Sequence, residues 1–188
     1  MSTKKVRRVN FFGGPCSSKS TTAAYTFSYL KSSGYQVEYV TEYIKFWTYI
    51  PRIPKSFDSL YCLAKQVHKE DTILRGETDL IVSDSPLMLQ YFYAVHHNAP
   101  VQIPMLEISK EMEDTYPSLN IFLKRKDRDY SSIGRYETLE QAKQVDEELM
   151  EVLKRVGVKY KTFSYHDKEK IIRYIFDKII RKVKKSNE

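Results

Sequence analysis

The chain has 188 residues, 41% of them hydrophobic, which is enough for one complete core and short for two, so a single domain over 1–188 is expected. No apolar run approaches the length of a membrane span, and Cys16 and Cys62 are too few for a disulfide framework, which argues against membrane-embedded and disulfide-stapled classes and for a reducing cytoplasm. A net charge of +7 suits an anionic partner without naming one.

The opening MSTKKVRRV has no signal-peptide pattern and passes into VRRVNFF, a β-branched and aromatic run that stops at Gly13 and Gly14. STTAAYTFSYLKSSG follows and reads as a helix ended by Gly34. QVEYVTEY is a second strand, DLIVSDSP a short apolar third broken by Pro86, LNIFLKR a fourth and VKYKTFS a fifth. Thr138 with Gln141 three residues later has the form of a capping box opening a helix to about Val156. From about Asp167 a last helix places Ile171, Ile172, Ile175, Phe176, Ile179, Ile180 and Val183 on one face. Strands alternating with helical segments predict an α/β fold, a parallel sheet covered on both sides, with ligands at the carboxyl ends of the strands.

That edge carries VNFFGGPCSSKSTTAAY, in which residues 13–20 follow the phosphate-binding pattern G-x-x-x-x-G-K-[ST] except that Ser18 replaces the second glycine. Lying between a strand and a helix, Gly13, Gly14, Pro15, Cys16, Ser17, Ser18, Lys19, Ser20 and Thr21 form a candidate ATP loop. Lys19 would bridge the β- and γ-phosphates and the Ser20 hydroxyl would ligate Mg²⁺. A serine at position 18 adopts the geometry that glycine permits at a cost of about 1 kcal/mol. The bland alternative is an ordinary turn with a solvated lysine.

Two carboxylates bear on the fate of the γ-phosphate. Asp84 ends the third strand, where a metal-holding acid belongs, and would hold Mg²⁺ directly or through water; Asp84-Ser85-Pro86 can equally cap the next helix. Glu42 ends the second strand at the same edge and can accept the proton of an attacking hydroxyl, or simply pair with a lysine.

After the fourth strand KRKDRDYSSIGRYET reads as a basic lid over about residues 124–136, with Arg125, Arg128 and Arg135 available to neutralise charge on a transferred phosphoryl group. The segment after Glu42, YIKFWTYIPRIPK, interleaves aromatic rings with cations, so Tyr43, Trp47 and Arg52 are candidate substrate contacts for a nucleobase and its phosphates. The cluster KKVRR precedes the first strand and belongs at the opposite edge, where it can aid solubility or weak DNA contact but not catalysis. His68, His96, His97 and His166 lack metal-ligand spacing.

The motifs GGPCSSKST, TEY, DLIVSDSPL and FLKRKDRDYSSIGRYET together resemble P-loop kinases of the thymidylate kinase-like and nucleoside kinase-like group. Among them the run from VNFFGGP through SDSPL is similar to phage 5-hydroxymethyluracil DNA kinases; the ribosylnicotinamide kinase domain, with its GGESSGKS-like loop, is a more distant likeness. The resemblance implies a three-layer P-loop kinase fold with a mostly five-stranded parallel sheet, ATP as co-substrate, Mg²⁺, Glu42 as base and Asp84 as the strand-three acid. It further implies an acceptor that is either DNA containing a modified pyrimidine or a free nucleoside or nucleotide, and it is compatible with an oligomer. Ser85-Pro86 stands where thymidylate kinases carry an arginine, which argues against soluble thymidylate. Two other classes stay open: a P-loop ATPase or nucleotide switch, and a DNA-binding module with a loop that no longer binds nucleotide.

Overall fold

The computed structural model describes residues 5–50, 55–125 and 138–184, with the backbone alone at residues 46, 48, 49 and 180–184. The five apolar runs become strands β1 (Arg8–Phe12), β2 (Val37–Val40), β3 (Leu80–Ser83), β4 (Ser118–Lys124) and β5 (Lys161–Ser164), in the order β2-β3-β1-β4-β5 with every pair parallel. Parallel neighbours need long crossovers, and helices supply them. These are α1 (Lys19–Ser32), α2 (Asp58–Leu74), α3 (Leu87–His96), α4 (Gln102–Thr115), α5 (Leu139–Arg155) and α6 (Lys168–Lys184).

Side chains alternate across the sheet and so build two apolar layers. Val9 and Phe11 of β1, Val82 of β3 and Ile121 of β4 pack with Ala23 and Leu30 of α1 and Ile171, Ile175 and Ile179 of α6. Phe12 and Phe122 face the other way, onto Leu63 of α2, Phe92 of α3, Met105 of α4 and Leu149 of α5. Each fully buried aromatic or aliphatic side chain contributes about 1.5–3 kcal/mol. The capping box at α5 is present: Thr138 N donates to Gln141 Oε1 at 2.7 Å and Gln141 N to Thr138 Oγ1 at 3.3 Å. Gly34, at φ 88°, ends α1 and lets Tyr35 N return to Leu30 O at 3.2 Å.

Two expectations are corrected. The second strand stops at Val40, because its neighbour β3 ends with Ser83 in register opposite; Glu42 lies two residues beyond it. The basic cluster KKVRR is not an open patch throughout. The Arg7 guanidinium donates to the carbonyls of Leu74, Thr78 and Asp79 at 2.8–3.0 Å. Arg8 is buried and reaches Tyr116 O at 2.7 Å, Glu70 Oε2 at 3.3 Å and Glu113 Oε2 at 2.6 Å. Burial pushes the Glu70 carboxyl up from its ordinary range, with Arg8 pulling against it. These two arginines hold the amino edge of the sheet together, and the charge of Arg8 is matched by Glu70 and Glu113. No helix among the described residues is long and apolar enough to cross a membrane.

Candidate active site

The phosphate loop joins β1, the central strand, to α1, so neighbouring strands reach it from both sides. Gly13 has φ 144°, and a Cβ there would run into the Ser17 side chain and the Leu123 carbonyl. Cys16 and Ser18 both stand at φ 60°, in the left-handed region. Ser18 thus adopts the backbone that the missing glycine would have adopted, at about 1 kcal/mol. Left-handed residues set among right-handed or extended ones curl a chain so that successive N–H groups converge into an anion-binding concavity. Helix α1 adds its positive end: no acidic side chain lies in its first turn and Ser18 makes no side-chain cap. The Ser17 hydroxyl, buried, donates to Gly14 O at 2.9 Å, while Lys19 Nζ bends back to Gly13 O at 2.7 Å and Gly14 O at 2.8 Å. The lysine ammonium therefore lies over the loop it belongs to.

Asp84 follows β3 on the β2 side of the loop. It does not cap α3; the N-cap of that helix is Pro86, with no side-chain hydrogen bond. Instead Tyr39 Oη donates to Asp84 Oδ2 at 2.8 Å and the Glu42 amide donates to Asp84 Oδ1 at 3.2 Å. Asp84 is only 4% exposed, and among the described residues no ion pair forms with it. A buried carboxylate with one neutral donor on each oxygen and no cationic partner suits a cation brought from outside. The Ser20 hydroxyl in the first turn of α1 would complete a hard, all-oxygen donor set fitting Mg²⁺. Burial, and then the adjacent Asp84, hold the Tyr39 phenol well above its ordinary pKa, so the hydroxyl stays a donor.

On the other side of the loop stands a second carboxylate that sequence reading missed. Asp146 of α5 accepts from Gly14 N at 2.6 Å and from Arg125 Nε at 2.9 Å. Arg125 Nη2 also meets Asp146 Oδ2 at 2.8 Å and Ala142 O at 2.9 Å, and its buried Nη1 has no hydrogen-bond partner among the described residues. Arg125, expected on a lid, is thus spent at the end of β4 tying that strand to α5. A Cβ on Gly14 would stand 2.7 Å from Asp146 Oδ1 and 2.9 Å from Arg125 Nη2, so this glycine serves the close approach of α5. Burial pushes the Asp146 carboxyl up from its ordinary range, and Arg125, the Gly14 N–H and Lys19 pull the other way. Arg52, Arg128 and Arg135 lie outside the described residues.

Beyond Glu42 a 3₁₀ helix (Ile44–Tyr49) leads toward α2, and the two lie against a hollow of about 500 Å³. Tyr43, Trp47, Phe57 and Tyr61 line it together with Lys55 and Asp58. Trp47 and Tyr61 stack at 6.4 Å and 23°, and the Tyr43 and Tyr61 hydroxyls are 3.0 Å apart. Phe57 is 62% exposed and so presents its ring at the mouth of the hollow. Tyr43 and Trp47 were candidates from sequence; Phe57 and Tyr61 were not, although their position at the start of α2 continues the same aromatic run. No group of three His, Cys, Asp or Glu side chains able to hold a metal occurs among the described residues.

This geometry has relatives. In fold the chain is similar to the NadR protein in complex with NR, with a TM-score of 0.67 and 15% identity over 93% of this chain and 52% of that one. It therefore spans about half the length of that protein. It is similar too to the YorR protein in complex with phosphorylated GDP from Bacillus subtilis, with a TM-score of 0.59 and 14% identity over 90% of this chain and 93% of that one. At such identities the likeness concerns architecture alone: an α/β fold of five parallel strands flanked by helices, with the phosphate loop after the central strand. Among curated proteins none matches. The AAA domain family matches residues 8–169, which take in the phosphate loop, Asp84, Asp146 and all five strands, and the chain belongs to that family.

Proposed function

We propose that this protein is a kinase that transfers the γ-phosphoryl group of ATP to a hydroxyl of a nucleotide-like acceptor. One observation carries the reading: the phosphate loop, Asp84 and Glu42 meet at one sheet edge, beside an aromatic hollow large enough for a base.

In this reading the loop amides hold the β-phosphate, and Lys19 leaves the Gly13 and Gly14 carbonyls to bridge the β- and γ-phosphates. Ser20 and Asp84 would hold Mg²⁺, which would supply charge neutralisation for the phosphates. The Asp84 carboxylate also fixes the Glu42 backbone, so that the Glu42 side chain can take the proton of the acceptor hydroxyl. Tyr43, Tyr61 and Phe57 stack on the acceptor base, and Trp47, buried and stacked on Tyr61, backs that face of the hollow. Arg128 and Arg135 supply the charge that Arg125, tied to Asp146, does not.

The preferred acceptor is the hydroxymethyl group of 5-hydroxymethyluracil within DNA. A net charge of +7 exceeds what ATP requires, and an open aromatic hollow suits a base turned out of a duplex. The second reading, a free nucleoside or nucleotide, is favoured by the size of the hollow, about 500 Å³, which is ample for one nucleoside. Radiolabelled ATP and Mg²⁺ offered to DNA with 5-hydroxymethyluracil, to ordinary DNA and to free nucleosides and nucleotides separate them. Label on the modified DNA alone is the expected result. Label on a free nucleotide alone selects the second reading, and ATP hydrolysis without any labelled acceptor removes the kinase.

A further inference from the structure

Tyr39 lies in the middle of β2, in register with Val82 of β3, and its ring is wedged against Phe27 of α1 at 6.1 Å and 28°. Stacking on Phe27 narrows the directions in which the half-buried phenol can point its hydroxyl. That hydroxyl lies 2.8 Å from Asp84 Oδ2 and 3.3 Å from the Ser20 carbonyl. One proton can be fully donated once, and the shorter contact to an anion takes it. The hydroxyl is then a rigid strut: one end is fixed by Phe27, the other sets the separation of the Asp84 carboxylate from the first turn of α1. The second carboxylate oxygen is held by the Glu42 amide, so both oxygens have a fixed direction.

We infer that Tyr39 is a positioning residue, whose hydroxyl orients Asp84 toward Ser20 so that the two can share a divalent cation. The inference rests on the proposed reading of Asp84 and Ser20 as the metal-side pair. Its physical basis is entropic. A carboxylate already aimed pays less to order when the cation arrives, and removal of such outer partners typically costs 10- to 100-fold in metal affinity. Tyr39 itself touches neither cation nor nucleotide.

Tyr39→Phe keeps the ring against Phe27 and removes only the hydroxyl. Calorimetry of ATP uptake by the full chain is run across a Mg²⁺ titration and again in EDTA, alongside thermal melting. The expected result is a rise of about tenfold in the Mg²⁺ concentration for half-maximal uptake, with ATP affinity in EDTA unchanged. In a background of Asp84→Asn the same substitution then has no further effect on the Mg²⁺ requirement. An unaltered Mg²⁺ requirement in Tyr39→Phe overturns the inference, and so does an equal loss with and without Mg²⁺, which marks Tyr39 as a packing residue only. If the unsubstituted protein shows no Mg²⁺ dependence at all, the metal-side reading fails and takes this inference with it.

Discussion

Two aspartates flank the same phosphate loop and live opposite lives. Asp84, on the β3 side, is surrounded by neutral donors, Tyr39 Oη and the Glu42 amide, and meets no cationic side chain among the described residues. Asp146, on the α5 side, is neutralised by Arg125 and occupied by the Gly14 amide. Both are acidic and both sit within a hydrogen bond or two of the loop. The difference lies in what the fold has already supplied: a carboxylate whose charge is matched internally serves the fold, whereas one given hydrogen bonds but no cation among the described residues suits the cation-holding role proposed for it.

Substitution should split the pair cleanly. The largest effect is expected from Asp84→Asn, which keeps the shape and removes the charge: phosphoryl transfer should fall by about 10³-fold, while the urea midpoint hardly moves. A variant that melted early but transferred normally would merge the two aspartates into one class. Asp146→Ala should do the reverse. It leaves a buried guanidinium unpaired and the Gly14 amide without its acceptor, a loss of about 3 kcal/mol in unfolding free energy, with transfer per folded molecule within about tenfold of normal. The pH dependence adds a sign. Because burial raises the Asp146 carboxyl above its unfolded value, the folded state holds that proton more tightly, so its contribution to stability is greatest at low pH. It declines as pH rises from about 4 through the folded value. In Asp146→Asn that part of the decline should vanish when denaturation is followed from pH 3 to 7; a curve parallel to the unsubstituted protein would sink the assignment. Smallest is Thr138→Ala. It opens the capping box that starts α5 and should cost about 1 kcal/mol by denaturation, leaving MgATP affinity as it was, since Asp146 lies two turns further along.

How much of this contrast was legible beforehand follows from the range of the interactions. The strand and helix alternation, the α5 cap and the loop pattern are local, and each could be read within a dozen residues. Asp84 was visible too, because the end of an apolar run marks a strand end. Asp146 was not. Its partners, Gly14 and Arg125, are 132 and 21 residues away, and on the helix it looks like any other solvated acid. Tyr39 was hidden for a similar reason: its contact with Asp84 spans 45 residues, and an aromatic in a strand is ordinarily core. Reading VEYVTE as one strand carried Glu42 too far, since where a strand stops is decided by the partner strand, here Ser83 opposite Val40. Arg8 misled in the opposite direction, because a basic cluster near a terminus looks solvated until Glu70 and Glu113 are found beneath it.

The strand order has a consequence for how the molecule is made. The loop-bearing strand β1 is synthesised first, yet Arg8 pairs with Ile81 on one side and with Ser118 on the other, so both its neighbours emerge long afterwards. Such distant pairing is slow to close and leaves early segments uncovered in the meantime. A nascent chain halted before β4 would carry every residue of the glycine-rich turn, with β3 beside its strand but neither Leu123 nor Asp146 against the turn itself. Nucleotide retention should therefore appear abruptly once β4 and α5 have emerged, and serve as a report that they have docked.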